Sequence, residues 1–235
     1  MFDEEGFRAY LQDQKTPANT ISQFIRLTNE FLDYLQKYRP KSVENQQVED
    51  LHEFFAWLDQ QFRRPRINRY IYALRAYYGF LADQDLYHAA NEILGIISLE
   101  ALKLKDFASV DPTVVKTLAA QKIRTAAQLL AITSTPAARE KLARETNIPE
   151  ALILELVKLS NLARIPGLKQ KRACLFYDAG LDTLDKIAAY DNPEDLVTLF
   201  AQFVERTHFD GRAVSPAEAQ FTLGMAKYLK PITKF

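Results

Sequence analysis

The chain has 235 residues and balances 30 Lys and Arg against 30 Asp and Glu, so its formal net charge is zero. Hydrophobic residues make up 48% and charged residues 26%, as in ordinary globular proteins, and the length allows one or two domains with cores of their own. The charge balance argues against a uniformly basic polyanion binder, the single Cys174 excludes a disulfide framework and a cysteine-based metal site, and no run approaches the roughly 20 apolar residues of a membrane span.

The N-terminus, Met1-Phe2-Asp3-Glu4-Glu5-Gly6, is acidic and has no apolar run, unlike a signal peptide. With the lone cysteine, this leads us to expect a reducing, cytoplasmic location. Glycine is rare at 7 residues, while 15 Phe and 11 Tyr are present, so an all-α chain with aromatic-rich cores is expected.

Over residues 3–14, Phe7, Tyr10 and Leu11 share one helical face. Pro17 bars that helix from continuing, and Asn19 or Thr20 is the predicted cap of a long helix from Ile21 to Tyr38. Its apolar stripe is Ile21, Phe24, Ile25, Leu27, Thr28, Phe31, Leu32 and Leu35, and Arg39-Pro40-Lys41 ends it. Val48 to Gln61 repeats the pattern with Leu51, Phe54, Phe55 and Leu58. Pro65 opens a further helix, Ile67 to Ala82, with Ile67, Ile71, Leu74, Tyr78 and Leu81 inward. Short loops make these a helical bundle of four or five helices over residues 1–90. Residues 91–102 form the connector, apolar and free of linker composition, expected as a packed connection or short helix. A second domain is expected over 103–235.

Two segments are basic and carry no acid: residues 62–78, with Arg63, Arg64, Arg66, Arg69 and Arg75, and residues 164–172, with Arg164, Lys169, Lys171 and Arg172. Such segments serve either as phosphate contacts or as solvated helix faces whose stems pack on the bundle. Arg75, inside an aromatic run, equally suits a core edge.

The first bundle resembles the N-terminal SAM-like core-binding domain of tyrosine recombinases and phage integrases. The resembling residues are Phe7-Arg8-Ala9-Tyr10-Leu11, Ala18-Asn19-Thr20-Ile21, Phe31-Leu32-Asp33-Tyr34-Leu35, Ile67-Asn68-Arg69-Tyr70 and Ala73 to Leu81. The resemblance implies a clamp on duplex DNA, with Thr20, Arg66, Arg69 and Arg75 facing phosphates and Arg63 and Arg64 beside them. The family usually follows this helix with Asn-Pro; here Asn91 precedes Glu92. Its chemistry needs an Arg, a His-x-x-Arg pair and a nucleophilic Tyr, yet none of His52, His88 and His208 has Arg three positions on. The resemblance therefore implies a fold and a binding mode without strand exchange.

The second half contains an internal repeat at a constant offset of 58 residues. Phe107-Ala108-Ser109-Val110 matches Ile165-Pro166-Gly167-Leu168, Ile123-Arg124-Thr125 matches Leu181-Asp182-Thr183, and Leu129 matches Ile187. Thr146 to Glu150 has a counterpart in Ala213 to Ala217, displaced by a longer loop with Asp210-Gly211. Gly180 suits a left-handed helix stop, and Lys122 holds that place in the first copy. Segment 150–163 is apolar on most faces and is expected as a buried central helix, with Cys174 as a small buried hydrophobe.

In the second copy, Pro166 and Gly167 turn the chain, Leu168 starts a new helix, and Lys169, Lys171 and Arg172 follow in its first turn. The pattern resembles a helix-hairpin-helix element, a clamp on the DNA backbone that reads no sequence. The repeat, with Leu162-Ala163-Arg164-Ile165-Pro166-Gly167 and Ala179-Gly180-Leu181-Asp182-Thr183-Leu184, resembles the DUF4332 family, which implies tandem helix-hairpin-helix-like units over about 103–232. A helix N-terminus with unpaired N–H groups attracts phosphate, so the predicted DNA contacts are Pro166, Gly167, Leu168, Lys169, Lys171 and Arg172. The first copy has Asp111, Pro112 and Thr113 at the matching helix start, and an acid there repels phosphate.

Two functions follow. One is a non-catalytic protein that binds DNA without sequence specificity, through helix starts and basic segments. The other is a helical scaffold or protein-interaction module, with an exposed aromatic patch drawn from Tyr70, Tyr72, Tyr77 and Tyr87. No Gly-rich phosphate loop, His-Glu-x-x-His or serine elbow is present, so no catalytic residue, metal site or small-molecule cofactor is expected, nor a membrane partner.

Overall fold

The computed structural model describes residues 2–40, 45–62, 64–107 and 109–235, with only the backbone described at residues 64–66. It is all-α, 72% helical and without strands among the described residues. Among the described residues, no helix is long and apolar enough to cross a membrane. Two compact units divide between Leu94 and Gly95, and the division falls inside α5 (Gln84–Ala101).

The first unit contains α1 (Glu4–Asp13), α2 (Ala18–Tyr38), α3 (Val48–Gln61), α4 (Arg64–Phe80) and the first turns of α5. α2 packs along α4, while α1 and α3 each pack against both. Phe7, Leu11, Ile21, Ile25, Phe31, Leu35, Leu51, Phe54, Leu58, Ile71, Leu74 and Tyr78 fill the core, on the spacing that predicted the helices. The caps explain the boundaries. Asp3 accepts from the Gly6 amide at the start of α1, and Asp50 reaches back to the Gln47 amide at the start of α3.

Three expectations are corrected here. α2 begins at Ala18 behind Pro17, ahead of Asn19 and Thr20; Pro17 holds an extended backbone, and its carbonyl takes the Thr20 and Ile21 amides. Leu81 lies past the end of α4 and is 46% exposed, because the chain turns at Ala82 through a left-handed φ of 54°. The connector is no short link: α5 has 18 residues.

Among its described residues the second unit contains the C-terminal turns of α5, a 3-10 turn at Leu104–Asp106 and the helices α6 (Pro112–Ala120), α7 (Ala126–Ile132), α8 (Pro136–Thr146), α9 (Glu150–Leu162), α10 (Gln170–Asp178), α11 (Leu184–Ala188), α12 (Pro193–Thr207) and α13 (Pro216–Tyr228). α10 starts and ends 58 residues after α6. Lys122 and Gly180 share the left-handed conformation at φ 65° and 87°. Thr125 and Thr183 both cap the next helix through their hydroxyls. α7 and α8 pack on α9 as α11 and α12 pack on α13. α9 also packs on α10 and is the central helix, with Ile153, Leu156, Val157, Leu159 and Leu162 fully buried.

A clasp made of two buried arginines holds the chain after α13. Arg164 donates to the Lys230 carbonyl at 2.9 Å, and Arg139 donates to those of Lys234 (2.8 Å) and Thr133 (3.2 Å). Arg164, counted with the basic segment from sequence, is thus a core residue at 7% exposure.

Candidate nucleic-acid interface

The hairpin before α10 is built by one turn. Ile165 is buried, Pro166 fixes its own φ, Gly167 takes φ +95°, and the Leu168 amide donates back to the Ile165 carbonyl at 3.0 Å. Gly167 is exposed, and a β-carbon there would meet no atom within 4 Å; the glycine serves the backbone conformation. Gly95 of α5 fixes the base of the hairpin, since a β-carbon there would lie 2.2 Å from the Arg164 carbonyl oxygen.

The Leu168 and Lys169 amides are spent inside the turn, the second on the Gly167 carbonyl at 2.9 Å. The open donors therefore lie one step further on. Lys169 is the N-cap of α10 and offers no side-chain cap, so the first-turn amides of Gln170, Lys171 and Arg172, which have no partner within the helix, receive none from it. The first copy shows the contrast. Asp111, 58 residues before Lys169, places Oδ1 2.7 Å from the Thr113 amide. A carboxylate of the chain thus caps α6, whereas no side chain caps α10 at the matching position.

The cations of the hairpin differ in freedom. Lys169 is exposed. Lys171 Nζ lies 2.8 Å from Asp210 Oδ2, and the aspartate is fully exposed, so this pair is screened and weak. Its link to Lys171 holds the Asp210 carboxyl below the usual carboxylate range. Arg172 is more firmly held. Its Nε donates to Glu218 Oε1 at 2.8 Å and its Nη1 to the Arg212 carbonyl at 2.6 Å, so it braces the 208–215 loop against α13.

That loop brings in a residue absent from the sequence-based set. Arg212 is exposed and lines a cavity with Lys171, Arg172 and Gly211. The signal was the longer loop between the last two helices of the second copy. Helical spacing carries no information on where a loop folds back.

In the first unit, Arg63 lies outside the described residues, and so do the side chains of Arg64 and Arg66. Arg69 is exposed on α4. Thr20 is half-buried in the first turn of α2, its amide and hydroxyl directed to Asn19 Oδ1 at 2.9 and 3.4 Å. Arg75 is half-buried with its guanidinium 5.8 Å from the Tyr72 ring centre, in a groove with Tyr10, Phe24 and Tyr87. No acid pairs with it among the described residues. The predicted aromatic patch is corrected: Tyr70 and Tyr77 are buried at 3% and 5%, leaving Tyr72 exposed and Tyr87 half-buried. Both buried rings pack against other aromatics of the bundle.

Cys174 is buried with its Sγ 3.3 Å from Ser109 Oγ, and burial pushes its thiol up, away from the reactive thiolate.

Comparison with known proteins divides the chain as its two units do. Residues 5–85 match the phage integrase N-terminal SAM-like domain. Residues 109–227, more than half of the chain, match the model of the domain of unknown function DUF4332, and the chain belongs to that family. The integrase match covers that family's N-terminal domain and not its catalytic domain. No curated protein and no solved structure matches the chain.

Proposed function

We propose that this chain is a non-catalytic DNA-binding protein that contacts the phosphate backbone without reading sequence. The observation that carries the reading is the uncapped, basic start of α10, set beside the carboxylate-capped start of its counterpart α6 in the first copy. A phosphate oxygen would take the role that Asp111 Oδ1 plays in the first copy, accepting from first-turn amides, while Lys169, Lys171 and Arg212 supply charge. The weak Lys171–Asp210 pair gives way easily, since water and salt screen an exposed ion pair. In the first unit, Arg69 and Arg75 of the integrase-like bundle are further candidate contacts, with Thr20, Arg63, Arg64 and Arg66.

Binding of this kind is modest and falls steeply with salt. The test is titration of the chain into a labelled duplex of mixed sequence, and into the matching single strand, at low and high salt. The reading expects duplex binding at low salt that does not change when the sequence is scrambled. Absence of binding at low salt would overturn it and favour the scaffold function.

A further inference from the structure

A groove on the first unit, lined by none of the described residues assigned to DNA, has a different chemistry. It is a cavity of about 280 Å³ between α2 and α3, with Phe54 and Tyr70 as floor and Tyr34, Tyr38, Trp57 and Phe62 as walls. Phe54 and Tyr70 are 1% and 3% exposed, so the floor is core, while the walls reach solvent. The ring centres of Tyr34 and Trp57 stand 5.2 Å apart, and those of Tyr38 and Trp57 6.4 Å. Two carboxylates, Glu30 and Asp33, stand on the rim. Glu30 accepts from the Tyr70 hydroxyl and pairs with Arg26. Asp33 is exposed and has no ion-pair partner among the described residues. One cation of the chain already uses a wall: Lys37 Nζ lies 5.0 Å from the Tyr38 ring centre.

We propose that this groove holds the cationic side chain of an arginine or lysine on a partner protein. Aromatic faces attract cations through their negative quadrupole, and the indole of Trp is the strongest of them. Carboxylates beside the rings add attraction and repel phosphate, so the acidic rim selects a basic protein segment over nucleic acid. Lys37 marks the position where a positive charge sits against Tyr38 and is its competitor. The inference does not depend on the DNA-binding reading, which uses other residues.

Trp57 is the single tryptophan of the chain, so its emission reports on this groove alone. The experiment titrates the full chain with tetramethylammonium chloride and with an acetylated, amidated Ala-Ala-Arg-Ala-Ala peptide. Controls are sodium chloride and the same peptide carrying Glu in place of Arg. The expected result is a saturable change with both cations and none with the controls. Asp33→Asn and Tyr38→Leu, both at exposed positions, should each weaken the arginine peptide by about threefold or more, whereas Lys37→Gln should tighten it. Far-ultraviolet circular dichroism checks that the variants keep their helices. No saturable change in the parent, or equal affinity in the parent, Asp33→Asn and Tyr38→Leu, overturns the proposal. So does a response to single-stranded DNA in place of the peptide, which would make the groove a base-stacking surface. Lys169→Glu with Lys171→Glu should leave the Trp57 response unchanged, which separates a failure here from a failure of DNA binding.

Discussion

Two glycines that frame the hairpin act for different reasons. Gly167 supplies a positive φ in open space, so Gly167→Ala should cost about 1 kcal/mol, the strain of an L-residue in that region. Gly95 supplies room for the Arg164 carbonyl, so Gly95→Ala forces backbone apart and should cost about 2–3 kcal/mol. Urea denaturation of the two variants measures the difference, and equal costs would contradict the close packing of α5 on the hairpin base. Asp182 offers a test by pH. Burial alone would raise its carboxyl, but a hydrogen bond from Lys158 and an ion pair with Lys186, both at 2.7 Å, outweigh that and leave it below the usual range. A folded value below the unfolded one gives stability that is present above the unfolded pKa and lost as pH falls through the folded pKa. Asp182→Asn should therefore lower stability at neutral pH by about 1–2 kcal/mol, and the gap in Tm should narrow as pH falls below the usual carboxylate range. A gap independent of pH would mean that the carboxylate charge does not matter there.

At the scale of elements, the two copies share geometry and differ in chemistry. Asp111→Ala removes the cap of α6 and should destabilise the unit by about 1 kcal/mol, whereas Lys169→Ala, at the same place before α10, should cost almost nothing because its side chain caps nothing. Chemical denaturation of both variants is the check, and equal losses would show that Lys169 has a hidden structural part. The helices were legible because their signals are local. Apolar spacing placed α3 to the residue, the 58-residue offset recovered α6 and α10 together, and Gly180 announced its left-handed turn. Other features depend on distant partners. Arg164 opens a basic stretch, yet it is buried because the chain returns to offer the Lys230 carbonyl. Tyr70 and Tyr77 look like surface tyrosines until the other helices cover them. The ion pairs of Lys171 and Arg172 come from residues 39 and 46 positions away, beyond any helical period.

The whole molecule carries zero net charge, so any affinity for DNA must come from where its cations lie. The second unit concentrates Lys169, Lys171 and Arg212 at one helix start, with acids of the chain placed so that the loosest of them guards Lys171. The first unit holds the integrase-like bundle, with Arg69 exposed on α4. The measurement that bears most directly on this account is the salt dependence of duplex binding for the parent and for Lys169→Glu with Lys171→Glu. The account predicts weaker binding to every sequence alike, and a slope of log affinity against log salt reduced by about 0.9 for each phosphate that the variant no longer neutralises, with the helical signal and Tm close to those of the parent. A variant that binds as the parent does, with the same slope, would reduce the hairpin to a turn and contradict the account.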